Sequence, residues 1–168
     1  MKKYLLVLFI LLPLLAYTQS KSNTKIYLKI TKEMPLERVN DIDCYVQFSD
    51  DRSTVVSDSC KPEIFVSLVD AGKRVKWRKN SNLVGNIKKI KIIEVSYKER
   101  EGNVDVLEDR IMVRNFWGNV NGNVKSENSG IEPGALEYYS ITFEVKFEIN
   151  GVNYWETYTI DPVIQYHP

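Results

Sequence analysis

The chain has 168 residues and a formal net charge of +1, with 43% apolar, 11% aromatic and 27% charged residues. This balance is too apolar for a disordered segment and too charged for a membrane bundle. A single histidine and two cysteines exclude most metal and thiol chemistries, and the near-zero charge gives no global pull toward nucleic acid or acidic lipid.

The chain opens with Lys2 and Lys3, followed by an apolar run from Tyr4 to Tyr17 that ends in Ala16-Tyr17-Thr18-Gln19-Ser20. A basic start, a short apolar stretch and small residues at the exit are the plan of a secretory signal peptide. The run has 14 residues, and a spanning helix needs about 20, so a permanent anchor is disfavoured. Cleavage after Thr18 or after Ser20 suits the exit equally. Residues 1–20 therefore read as a signal peptide and 21–168 as one domain, secreted or periplasmic. Losing Lys2 and Lys3 leaves 21 basic against 22 acidic residues, a mature charge of −1.

The mature chain has two alanines, Ala71 and Ala135, while Val, Ile, Thr, Tyr and Phe abound, which favours pleated surfaces. Helix is expected at most as one short turn between Met34 and Val39. Strands are expected from Lys25 to Thr31, Ile42 to Ser49, Pro62 to Val69, Lys73 to Lys79, Ile87 to Tyr97 and Ile111 to Phe116, with a further one from Val104 to Leu107. In Ile87 to Tyr97 the apolar parity switches between Ile92 and Ile93, which predicts a bulge. The repeated Gly-Asn-Val of 118–124 reads as turn chemistry.

Cys44 shares a strand face with Ile42, Val46 and Phe48, and a return strand through Val55 and Val56 would bring Cys60 back beside it. In an oxidising compartment these two should form a structural disulfide.

Tyr138 to Ile149 alternates apolar and polar residues over twelve positions, the pattern of a strand with one face buried. Asn150-Gly151 then supplies the two positive-φ positions of a type I′ turn into a strand from Val152 to Ile160. The turn sets Ile149 against Val152, Phe147 against Tyr154, Val145 against Glu156, Phe143 against Tyr158 and Ile141 against Ile160. Glu156 thus falls on the apolar row. It is either turned out by a bulge, snorkelling at a rim, or a buried acid with a raised pKa. On the other face Lys146 pairs with Trp155. The fold class predicted from these segments is all-β: an antiparallel β-sandwich of Ig-like or cupredoxin-like architecture.

Chemistry is thin. His167 stands next to the last residue, where fraying is expected, so no zinc site or Ser–His–Asp triad can be assembled around it. Asp50, Asp51 and Asp58 could gather at one hairpin end, but without EF-hand spacing they read as a solvated turn. Neither a P-loop nor a G-x-G-x-x-G run is present, so no cofactor is expected. The uneven feature is charge. From Lys73 to Lys91 there are eight basic residues (Lys73, Arg74, Lys76, Arg78, Lys79, Lys88, Lys89, Lys91) and no acidic one. If the two strands of this stretch pair, Arg74, Lys76, Arg78, Lys89 and Lys91 gather on one outer face. That face is either solvated edge lysine that discourages strand pairing between molecules, or a docking patch for an acidic glycan or another envelope polyanion such as lipopolysaccharide phosphate.

Gly72-Lys73-Arg74-Val75-Lys76-Trp77 resembles the G-x-x-V-x-W strand opening of cupredoxin-like sandwiches. The ending Tyr158-Thr159-Ile160-Asp161-Pro162-Val163-Ile164 looks like the closing strand of small secreted bacterial β-sandwich proteins. The resemblance implies a fold and not electron transfer, because cupredoxins hold copper with two histidines and a cysteine. The expected function is an exported, non-catalytic binding or interaction module with a polyanion or protein partner, no nucleic acid and no membrane span after processing. The alternatives are a carboxylate-dependent glycan hydrolase with Glu156 as its acid, or a structural subunit of a surface assembly.

Overall fold

A computed structural model describes residues 21–52, 60, 61 and 64–168. The expected leader, the return strand through Val55 and Val56, and Asp58 lie outside these residues. Ten strands follow in chain order: β1 Thr24–Ile30, β2 Val46–Asp50, β3 Val66–Asp70, β4 Arg74–Lys79, β5 Ile87–Tyr97, β6 Ile111–Val113, β7 Val120–Asn123, β8 Leu136–Ile149, β9 Val152–Ile160 and β10 Val163–His167. Two 3-10 turns, Ile42–Tyr45 and Glu127–Ser129, stand beside them among the described residues. Among the described residues no helix is long and apolar enough to cross a membrane.

The strands form two mixed sheets. One has four strands in the order β2-β1-β4-β7; the other runs β3-β10-β8-β5-β6, with β9 also hydrogen-bonded to β8. The fourteen-residue β8 organises the larger sheet. Its alternation buries Tyr139, Ile141, Phe143, Val145 and Phe147, each contributing about 1.5–3 kcal/mol by leaving water. From the smaller sheet, Ile26, Leu28, Val75 and Trp77 join the same apolar cluster. Trp77 Nε1 donates to Tyr139 Oη across the two sheets at 3.1 Å, with their rings edge to face. The indole N–H therefore has an acceptor inside the core, which removes the cost of burying it unpaired.

The hairpin is as expected. Asn150 and Gly151 both have positive φ, 51° and 79°, and all five expected cross-strand pairs are present. The parity switch in β5 is a register shift between Ile92 and Glu94.

Other expectations are corrected. The sheets are not purely antiparallel: β1 runs parallel to β4, and β10 parallel to β3. Period-two alternation is the same for parallel and antiparallel neighbours, so it carries no information on direction. Residues 42–45 form a 3-10 turn, which places Cys44 before β2 rather than within it. The disulfide to Cys60 forms nevertheless, because it needs two close Cα positions rather than two strands. Met34 to Val39 is irregular. Asn86 holds it instead, accepting from Met34 N at 3.0 Å and donating to Met34 O at 2.7 Å. Val104 to Leu107 contributes only the isolated bridge Leu107–Val124. The strand expected from Ile111 to Phe116 stops at Val113, and β7 replaces part of the expected Gly-Asn-Val turn.

Candidate functional site

The basic stretch is divided between the sheets, since β4 pairs with β1 and β7 while β5 pairs with β6 and β8. On β4, Val75 and Trp77 are buried, so Arg74, Lys76 and Arg78 point to the outer face of the four-stranded sheet. There Lys76 neighbours Lys25, and Arg78 neighbours Tyr27. Lys89 and Lys91 stand on the other sheet. The expected common face of all five is thus two faces, because strands consecutive in the chain need not be neighbours in a sheet.

A different grouping brings cations together. Among the described residues strand β6 pairs only with Glu94 to Ser96 of β5, and the bond from Arg114 N to Ile93 O extends that ladder by one step. From Ile87 to Ile92, β5 has β8 on one side and, among the described residues, no strand on the other. At this uncovered edge lies a cleft of about 160 Å³ that brings together Lys79, Lys89, Lys91, Arg114 and Trp117. Lys79 reaches it from the exposed end of β4. Arg114 and Trp117 come from the loop between β6 and β7.

That loop closes on itself. Asn115 N donates to Asn119 O and Gly118 N to Asn115 O, both at 2.9 Å, while Asn119 N donates to Asn115 Oδ1 at 3.1 Å. Gly118 takes φ 81°, a conformation that a side chain would strain. The closed turn leaves Phe116 94% and Trp117 82% exposed.

Most of the charge is unneutralised. Lys91 pairs with Glu144 at 2.9 Å and lies 4.1 Å from the centre of the Trp155 ring, which Lys146 also approaches, at 5.9 Å. Lys88 pairs with Glu148. Among the described residues no carboxylate lies within ion-pair distance of Lys79, Lys89 or Arg114. Cations without carboxylate partners around a concavity focus positive potential on it.

The remaining candidates have structural partners. Glu156 keeps its register opposite Val145, so no bulge turns it out; on β9 it reaches the rim, where Arg38 Nε lies 3.8 Å away. Its ionic partner is thus a cation on the rim. Asp51 holds Lys25 through the backbone and the ammonium, while Asp50 accepts from Arg52 N and Ser67 Oγ. His167 does not fray: it ends β10, with Nδ1 3.2 Å from Asp70. Asp70 is buried and also accepts from Arg52 and from Ser22 N. Burial pushes its pKa up, but the Arg52 hydrogen bonds and charge, the Ser22 N–H and His167 hold it below the ordinary value. Among the described residues no group of three or more His, Cys, Asp or Glu side chains could hold a metal ion.

One buried acid has no counterpart among the sequence candidates. Glu137 of β8 is wholly buried and accepts from Val106 N at 2.6 Å and Leu107 N at 2.8 Å through Oε2, while Oε1 has no partner among the described residues. Burial raises its pKa to about 7, and the Asp105 charge adds to this; the two backbone N–H groups and Lys125 oppose it. The signal was there to find, since the alternation that buries Tyr139 and Ile141 extends back to residue 137.

No protein-family profile matches the chain, and no curated protein does. Among solved structures it is similar to that of PixA, an inclusion body protein from Burkholderia cenocepacia J2315. The TM-score is 0.55 and the identity 11%, over 89% of this chain and 98% of that one. At this identity the likeness concerns the fold alone.

Proposed function

We propose that this protein is an exported, non-catalytic β-sandwich module that binds an acidic glycan or another envelope polyanion at the uncovered edge of β5. The observation that carries the reading is the convergence of Lys79, Lys89, Lys91 and Arg114 on one cleft, where among the described residues Lys91 alone has a carboxylate partner. Spare positive charge in a chain of near-zero net charge favours a local anionic partner over general adhesion. Arg74, Lys76 and Arg78 on the other sheet add long-range attraction without shaping a site. The Cys44–Cys60 disulfide and the basic-then-apolar start of the chain support export.

Retention on a heparin column at physiological salt tests the reading. The variant K79E/K89E/R114E should elute early, and R74E/K76E/R78E should be retained more nearly like the unmodified protein. Equal retention of all three proteins would remove the cleft from the account.

A further inference from the structure

The loop between β6 and β7 offers more than charge. Phe116 and Trp117 are adjacent, 94% and 82% exposed, and fixed by the three hydrogen bonds through Asn115 described above. Their ring centres lie 5.6 Å apart with the planes at 85°. A platform for a sugar presents one flat face; two perpendicular rings make a wedge. On the neighbouring edge strand, Ile111 and Val113 are also exposed, at 64% and 66%. Nothing in the core explains four exposed apolar side chains within seven consecutive residues. At the base of the wedge stand Arg114, whose guanidinium lies against Gly118, and the cleft cations Lys79 and Lys89. Aromatic rings at the boundary of acyl chains and headgroups, with Lys and Arg at the level of the phosphates, is how proteins sit on lipid surfaces without crossing them.

We infer that the 111–118 segment is a peripheral docking surface for an anionic lipid bilayer, with Phe116 and Trp117 entering the interface while Arg114, Lys79 and Lys89 contact lipid phosphates. The inference rests on the proposed reading of the cleft as a polyanion site and names the polyanion as a headgroup layer. Charge complementarity selects this occupant: a purely apolar partner would leave the unpaired cations beside it without anions.

The test uses protein purified as cells export it, the same form in every arm, with cosedimentation on vesicles of phosphatidylglycerol and phosphatidylcholine (1:1) or of phosphatidylcholine alone. The protein should bind the anionic vesicles and bind the zwitterionic ones at least about tenfold more weakly. F116S/W117S should lose about tenfold or more on anionic vesicles, and F116S, which leaves Trp117 of the cleft in place, should lose part of this while keeping its heparin retention and thermal midpoint. In a W155F background, Trp77 is buried, so quenching by brominated acyl chains should report Trp117 entering the bilayer. If the protein binds heparin but not anionic vesicles, or if F116S/W117S binds vesicles like its parent, the lipid inference fails and the polyanion reading stands. If it binds zwitterionic vesicles equally well, the role of the cations is refuted. If it binds neither heparin nor anionic vesicles, both fail.

Discussion

Replacing Glu137 by glutamine should stabilise the protein above neutral pH relative to its effect in acid. The carboxyl group is wholly buried. The glutamine carbonyl can take over the bonds from Val106 and Leu107 N–H, leaving its amide where Oε1 has no partner among the described residues. In the folded protein Glu137 titrates at about 7, against an ordinary value of 4.5. Below pH 4.5 the acid is protonated in both folded and unfolded chains and costs nothing. Between 4.5 and 7 the unfolded chain gives up its proton and the folded one keeps it, so stability falls as pH rises. Above 7 both are ionised and the full cost remains. The gap between about 7 and 4.5, at 1.36 kcal/mol per pH unit, is of order 3 kcal/mol. For a domain of this size that is about 6–12 °C in Tm. Thermal melts of both proteins by circular dichroism from pH 4 to 8 should show E137Q gaining this much on its parent across the range, most of it between pH 5 and 7. A difference in Tm that is constant with pH, or that shrinks as pH rises, would refute the reasoning.

Two further perturbations test the scaffold. C44S/C60S should lower stability by about 3 kcal/mol through the released loop, seen as an earlier denaturation midpoint; an unchanged midpoint would mean that the bridge constrains little. D70N should cost about 3 kcal/mol by leaving the partly buried Arg52 guanidinium without its anion. Because the pKa of Asp70 is held below its ordinary value, its contribution is present above that value and lost as pH falls through the lowered one. The penalty of D70N should therefore be full at pH 7 and shrink in strong acid, and urea melts showing equal penalties at both would contradict this.

What could be read from the sequence follows the range of the interaction. The register of the β8–β9 hairpin was legible to the residue because Asn150-Gly151 and the alternation around it are local, although β8 begins at Leu136 and not Tyr138, and the bulge in β5 announced itself in the parity of Ile92 and Ile93. The partner of β1 was not legible, since Ile26 lies beside Trp77, about a third of the domain away in sequence. Gly122 misled for a physical reason. It faces Val75 in a strand, and a Cβ there would collide with Met112 Sδ and press on the Trp77 ring. The glycine serves a close approach of the core, not a turn. The charge of Lys73 to Lys91 was visible, but its placement was not. Arg114 joins Lys79, Lys89 and Lys91 only because β6 is three residues long, and a short edge strand leaves no strong periodic trace.

The claim that the uncovered end of β5 recognises polyanions is tested most directly by calorimetric titration with a sulfated oligosaccharide at several salt concentrations, comparing the unmodified protein with K79E/K89E/R114E. The account predicts an affinity that falls steeply as salt screens the cleft and a variant with little binding left to lose. Binding that is indifferent to salt, or equally tight in the variant, would contradict it.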